Sequence, residues 1–460
     1  MPWHVSEMLS KAAPRFELGI KDLQSSALPL GHAANRKQPL PSRDRISRGD
    51  VALLVICNGH GEDLIALRVL QAIHRQAPQV PLEVLPLVGR GGAFDNAVEE
   101  GWLRRLGPDA ALPSGGFSNQ SLKGLLSDLK AGLPLMSWRQ WRLVRQRAKR
   151  GQLMLAVGDL LPLLMAFASG AIFGFIGTPK SDYTWLSGPG QAWSDLYHRA
   201  KGSEWDPWEW TLMRSNRCRM VAVRDRITAR GLRRHGVPAI APGNPMMDGL
   251  QRLTTPAALM RCRRLLLLCG SRMPEALINF RRLLCGATKL KASVPLALLV
   301  AVGANPPLHA LEQALDETGY RHSLPPSDQL GAASCWVQGP IMVLIGQGCF
   351  ERWAGWAEVG LATAGTATEQ LVGLGIPAVS LPGRGPQFKA AFARRQSRLL
   401  GGSVHPCRDI TELTLRLEQL LDDPILRQQL GCIGRRRMGP TGGSQRLARH
   451  WLDELRRDGY

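Results

Sequence analysis

The chain has 460 residues, of which 44% are hydrophobic, and a formal charge of +21 at neutral pH. That length exceeds one ordinary domain and suits two of about 200 residues, each able to bury a core. The excess of cations favours polyanionic partners, but Arg is scattered singly and no RNP-like aromatic motif, zinc-finger spacing or heptad array accompanies it, which argues against the common nucleic-acid modules.

In chain order, Met1 to Asp50 is rich in Pro, Ser, Arg and Lys and has no continuous apolar stretch of signal-peptide type. It is expected to be a flexible basic leader. From Val51 the chain repeats strand, loop and helix. Val51 to Cys57 is a continuous apolar run, the pattern of a strand buried on both faces of a parallel sheet. Leu64 to Ile73 is helical by periodicity. Further strands are expected at Leu82 to Val88, Leu153 to Val157, Ile172 to Ile176 and Met220 to Val223.

The uncharged run Leu160 to Gly177 just reaches the length of a short membrane span. Pro162, Gly170, Gly174 and Gly177 interrupt it, so it reads as a buried helix, a turn at Ser169-Gly170 and a buried strand. The pattern then restarts, with strands expected at Arg264 to Leu268, Leu296 to Val302, Val343 to Ile345, Leu361 to Ala362 and Ala378 to Leu381. Strands separated by helices imply doubly wound α/β domains with right-handed crossovers. The expected organisation is a front domain over 51–245, a rear domain over 246–440 and a C-terminal helix over 441–460 that packs back on the front domain. In such sheets ligands sit at the carboxyl ends of the strands. Functional residues are therefore expected in the loops that follow the strands.

The first such loop is Asn58-Gly59-His60-Gly61-Glu62-Asp63. Its glycines let a ligand approach the backbone, and the following helix start offers free N–H groups. His60, Glu62 and Asp63 are candidate general bases, with helix capping by Asp63 the plainer alternative. A second is Gly270-Ser271-Arg272-Met273-Pro274-Glu275, where a tight turn and a fixed cation suit a diphosphate. A third is Gly365-Thr366-Ala367-Thr368-Glu369-Gln370. Small residues open the helix start to phosphate there, and a carboxylate one turn in can hold ribose hydroxyls. The loop Pro382 to Phe388, with Gln387, is expected to complete that pocket.

Asp159, after the third strand, is another candidate base. Lys180, in the loop after the fourth strand, and Gly91, after the second, are expected on the acceptor side. The segment Trp138 to Arg150 places Trp138, Trp141, Val144 and Ala148 on one helical face among many cations. That is the pattern of an interfacial helix attracted to anionic lipid, or of an ordinary helix covering the sheet. The nine cysteines contain no CxxC pair, which suits reduced thiols in a reducing compartment. No metal site is expected.

These residues resemble lipid-A-disaccharide synthase, and more closely a set of proteins described as related to it. The resemblance runs from about Val51 to Ala448 and is carried by Gly89-Arg90-Gly91-Gly92, Gly243-Asn244-Pro245-Met246-Met247-Asp248, Gly270-Ser271-Arg272 with Glu275, and Gly365-Thr366-Ala367. It implies a GT-B architecture with two facing Rossmann-like domains. It also implies inverting transfer of a hexose or hexosamine from a UDP-sugar, held by the rear domain, to a lipid acceptor at the inner face of the plasma membrane. No cofactor beyond the UDP-sugar co-substrate is implied. The resemblance supports Arg272 and Asp159 as functional residues, and the loop Asn58 to Asp63, whose Asn58, Gly59, Gly61 and Glu62 are expected on the acceptor side, looks like the related group rather than the synthase proper. An epimerase acting on a UDP-sugar, or a non-catalytic membrane-associated protein, are the alternatives within the same architecture. This chain departs from the synthase at Gly177-Thr178-Pro179-Lys180-Ser181, where the synthase is Trp-rich, and at Glu369-Gln370.

Overall fold

The computed structural model describes residues 52–59, 61–107, 133–187, 190, 193–291, 294–383 and 388–457. The leader, His60 and Gln387 lie outside them.

Two sheets organise the chain. The first has seven strands in the order β3-β2-β1-β4-β5-β6-β7: β1 Leu53–Cys57, β2 Leu82–Pro86, β3 Leu103–Arg105, β4 Leu153–Gly158, β5 Phe173–Gly177, β6 Cys218–Val223 and β7 Ala239–Ile240. All its pairings are parallel. The second has eight, in the order β10-β11-β12-β9-β8-β13-β14-β15: β8 Arg263–Leu268, β9 Leu296–Val302, β10 Arg321–Ser323, β11 Ser334–Gln338, β12 Ile341–Gln347, β13 Val359–Ala362, β14 Ala378–Ser380 and β15 Val404–Pro406. It is parallel except at one edge, where β11 runs antiparallel to both β10 and β12. Both sheets are Rossmann-like, and together they make the two α/β domains of the GT-B architecture.

The central strands β1, β4 and β9 are continuous apolar runs, and β8 becomes one after Arg263 and Arg264. Cover by helices on both faces leaves no polar face for alternation to mark, and all five residues of β1 are buried. Parallel register aligns the strand ends: Cys57 pairs with Pro86 and Val157, and Ala362 with Leu268. In each sheet the loops that follow the parallel strands therefore lie along one edge. The expected strand at 82–88 stops at Pro86, and β3, β7, β10, β11 and β15 were not anticipated. These are edge or near-edge strands of two to five residues, two of them bearing arginine (Arg104 and Arg105 in β3, Arg321 in β10), and sheet edges favour short, charged segments that carry little apolar signal.

Helix α1 spans Gly61–Gln76, α2 Leu133–Lys149, α3 Leu160–Ser169, α4 Trp193–Lys201 and α5 Pro207–Met213 in the front lobe. In the rear lobe α6 spans Glu275–Thr288, α7 Thr366–Gly373 and α8 Ala390–Leu399, and the last helix, α9, spans Gly443–Arg457. The uncharged run at 160–177 is α3 followed by β5, and among the described residues no helix is long and apolar enough to cross a membrane.

The junction between the lobes is clasped from both sides. Arg68 of α1 donates to the carbonyls of Pro245 and Met246, each at 2.9 Å, and Gln370 of α7 also donates to Met246 at 2.9 Å. Asp248 accepts hydrogen bonds from the N–H groups of Gly442, Gly443 and Ser444 at the start of α9. An acid at a helix N-terminus satisfies groups that have no intrahelical partner. From there α9 runs along α1 and β6, and its Trp451 is fully buried against Gly174, where an added Cβ would stand 2.8 Å from the indole.

Candidate active site

The loop after β1 bends through Gly59, whose φ of 96° and closeness to the Val88 carbonyl both demand glycine. Glu62 and Asp63 occupy the first turn of α1. Asp63 is buried, while Glu62 leans against Gly158 at the end of β4, where an added Cβ would meet the Glu62 side chain at 3.5 Å and that of Asn58 at 3.0 Å. Asp159, the next residue, caps α3 by accepting from the Leu161 N–H at 3.0 Å. Three carboxylates thus gather where β1 and β4 end.

Their proximity has an electrostatic consequence. Burial pushes the Glu62 carboxyl up to about 7, with the charges of Asp159 and Asp63 adding to the shift. The Thr178 hydroxyl, at the end of β5, donates to Glu62 Oε1 at 3.3 Å and opposes it in part. A carboxyl at that value exchanges a proton near neutrality, which the ordinary carboxylate range does not permit. Burial likewise raises the neighbouring Cys57 thiol well above its usual range, with Asp63 adding to the effect, so it is a core thiol and no nucleophile.

In the rear lobe, the loop after β8 turns at Gly270, φ 86°, against the carbonyl of Thr363 at the end of β13. Ser271 is exposed and Arg272 partly buried. Burial lowers the Arg272 guanidinium below its usual value, and Glu275, at the start of α6, acts in the opposite sense. Gly365 precedes α7, and its carbonyl accepts from Gln396 of α8 at 3.0 Å. Thr366 opens α7, and Ala367 packs on the core.

The two loop sets meet. An added Cβ at Gly61 would stand 2.9 Å from Thr366 Oγ1, so the first turn of α1 and the first turn of α7 face each other across the lobe boundary. The boundary is also bridged by ion pairs. Arg224, the first residue beyond β6, donates to Glu369 Oε2 at 2.8 Å, and Arg398 of α8 pairs with Asp195 of α4 at 2.9 Å.

Several expected residues have other occupations. Lys180 turns inward, pairing with Glu209 and Asp206 while lying over the Trp205 ring. That network fixes the Lys180 ammonium at the end of β5, beside Trp205. Gln370 is buried, and its Nε2 donates to the Met246 carbonyl. Gly91, φ 66°, is held by the turn after β2, with Pro86 under it and its carbonyl accepting from Arg105.

In the basic helix, Val144 and Gln140 face the protein while Trp138 is 49% exposed, with the Arg142 guanidinium over its ring. The expected shared face of Trp138 and Val144 is therefore split. Sequence reasoning passed over Arg224, which follows an apolar strand directly, so the strand-end rule that singled out Asp159 applies to it equally.

No family model and no curated protein matches the chain. Solved structures do match in fold. The calicheamicin glycosyltransferase CalG4 superposes with a TM-score of 0.55 at 15% identity, over 89% of this chain and 99% of that one. Medicago truncatula UGT71G1 complexed with UDP-glucose gives 0.53 at 11% identity, over 88% and 98%. A Listeria monocytogenes protein provisionally assigned as a UDP-N-acetylglucosamine 2-epimerase gives 0.52 at 12% identity, over 89% and 97%.

Proposed function

We propose that the chain is an inverting glycosyltransferase that moves a hexose or hexosamine from a UDP-sugar to a lipid or lipid-linked acceptor. The observation that carries this reading is the meeting of Gly61 with Thr366 across the lobe boundary, with Glu62, whose carboxyl is raised to about 7, the next residue along α1. On this reading the β-phosphate lies against the first N–H groups of α7 and the loop Gly270-Ser271-Arg272. Glu369 accepts from the ribose. The acceptor hydroxyl enters from the front lobe and attacks the anomeric carbon on the face opposite UDP. The new glycosidic C–O bond forms as the anomeric C–O bond to phosphate breaks. The hydroxyl proton goes to Glu62 and the electron pair leaves on the phosphate oxygen. Negative charge grows there in the transition state, where Arg272 and the helix start lower its energy most.

The lipid acceptor is supported by the front-lobe surface. Trp138 of α2, Leu161 and Leu164 of α3, and Trp208 of α5 project outward from helices that pack in sequence against one another. Arg139, Arg142, Arg145 and Lys149 of α2 are exposed beside them. Aromatic and aliphatic side chains among cations suit peripheral binding to an anionic bilayer, here the cytoplasmic face. Flotation with phosphatidylglycerol vesicles tests this: the account predicts retention at low salt, weakened by Trp138→Ala with Arg142→Ala, and no such binding removes the membrane half of the proposal.

The likeness to the Listeria protein keeps the epimerase reading in view. The two differ in what they need. A transferase releases UDP only with an acceptor, whereas an epimerase converts the UDP-sugar to its isomer without one. Chromatography of a UDP-N-acetylhexosamine incubated with protein alone separates them, and an isomeric product displaces the transferase reading.

A further inference from the structure

We infer that Arg224, a front-lobe residue, positions the carboxylate with which the rear lobe holds the nucleotide, so that nucleotide affinity is set from across the lobe boundary. This rests on the reading of the α7 start as the nucleotide site. Arg224 stands at the carboxyl end of β6, and its side chain is only 6% exposed. A guanidinium that deep needs a partner with good geometry. Its Nη2 donates to Glu369 Oε2 at 2.8 Å and to the Met438 sulfur at 3.2 Å. Glu369 is its only carboxylate among the described hydrogen-bond partners.

Glu369 lies three residues beyond Thr366, which in a helix is the same face one turn on, about 5 Å along the axis. A nucleoside diphosphate with its phosphates at the start of α7 has its ribose at about that distance. A charge-assisted bond to one carboxylate oxygen fixes the side chain, and the remaining lone pairs can accept from two ribose hydroxyls. Ordering that carboxylate beforehand removes part of the entropy cost of binding. Arg224 also lines, with Thr178 and Asn244, a small cavity at the ends of β5 and β6, and Thr178 is the hydroxyl that bonds Glu62. One wall therefore joins the ribose carboxylate to the acceptor-side carboxyl.

The test is titration of the full-length protein with UDP, with 2′,3′-dideoxy-UDP and with inorganic pyrophosphate. The expected result is that Arg224→Gln weakens UDP about tenfold, the scale of one charge-assisted hydrogen bond. Dideoxy-UDP and pyrophosphate should be weakened far less, Arg224→Lys should retain part of the UDP affinity, and Glu369→Gln combined with Arg224→Gln should lose little more than either alone. Equal UDP affinity in Arg224→Gln, or equal weakening of all three ligands, overturns the inference and leaves Arg224 a clamp between lobes. Should Arg224→Gln melt early, Arg224→Lys and Glu369→Gln carry the same comparison. Absence of UDP binding by the unaltered protein defeats the nucleotide reading itself, and this inference with it.

Discussion

In the proposed mechanism Glu62 takes the acceptor proton, and its raised value gives predictions of definite sign. It must be ionised to accept a proton, so the transfer rate should fall as pH drops through about 7. Glu62→Gln should lower the rate about 10²- to 10⁴-fold and abolish that acid limb, which a pH–rate profile reads directly. Stability runs the other way. The folded carboxyl keeps its proton up to about 7 whereas the unfolded one ionises near 4.5, so the folded state binds more protons between those values and stability falls as pH rises through that window. Asp182, also raised to about 7 by burial first, contributes in the same direction. The melting-temperature difference between Glu62→Gln and the unaltered protein isolates the Glu62 share, and it should move in the variant's favour from about pH 5 to pH 8. Asp159→Ala should cost about 1 kcal/mol of stability through loss of the α3 cap and lower the Glu62 value, shifting the acid limb downward.

At this scale the sequence was half legible. Strand-end position picked out the cluster of Asn58, Glu62, Asp63 and Asp159 without any structure. It did not separate Glu62 from its neighbours, because burial and mutual charge, which make it distinctive, arise only when β1 and β4 lie side by side. The inward turn of Lys180 was illegible for the same reason: its partners Asp206 and Glu209 lie 26 and 29 residues away in sequence.

Among the elements, the decisive contact is between the first turns of α1 and α7. Gly61→Ala places a methyl about where Thr366 Oγ1 approaches, at 2.9 Å. Overpacking of this kind costs about 1–3 kcal/mol. Thermal melts should show the loss, and Thr366→Ala in the same chain should restore much of it because the two side chains share one space. Independent, additive losses would mean that the two helix starts do not touch. The central strands were readable from their unbroken apolar runs, and α3 with β5 from the glycines that interrupt the run at 160–177. The edge strands were not, since two to five residues of mixed polarity carry too little period. The split face of α2 has a physical cause too: Gln140 satisfies the buried Leu87 carbonyl at 3.0 Å, so the inward side of this helix includes a polar residue that periodicity assigns outward.

The whole molecule is held by α9, which returns from the rear lobe to the front. Asp248→Ala removes the acceptor for three N–H groups at its start, and Trp451→Ala empties a fully buried site beside Gly174. Large-to-small changes of the second kind cost about 3–5 kcal/mol, and caps about 1. Both variants should lower the melting temperature, Trp451→Ala the more, and both should weaken transfer while leaving Glu62 and Arg272 chemically intact. The two-domain plan could be read from the restart of the strand–helix rhythm. The clasp of Arg68 and Gln370 on the backbone at 245–246 could not, because backbone acceptors leave no trace in side-chain identity.

The central claim is that both lobes act on one UDP-sugar and one lipid acceptor. Its most direct measurement is transfer of radiolabel from UDP-[14C]hexosamine or UDP-[14C]hexose into the organic phase, with purified protein and extracted membrane lipids. The account predicts labelled lipid and stoichiometric UDP, both lost in Glu62→Gln and in Arg272→Ala. Label that never leaves the aqueous phase across the common UDP-sugars, or an isomerised UDP-sugar formed without lipid, would contradict it.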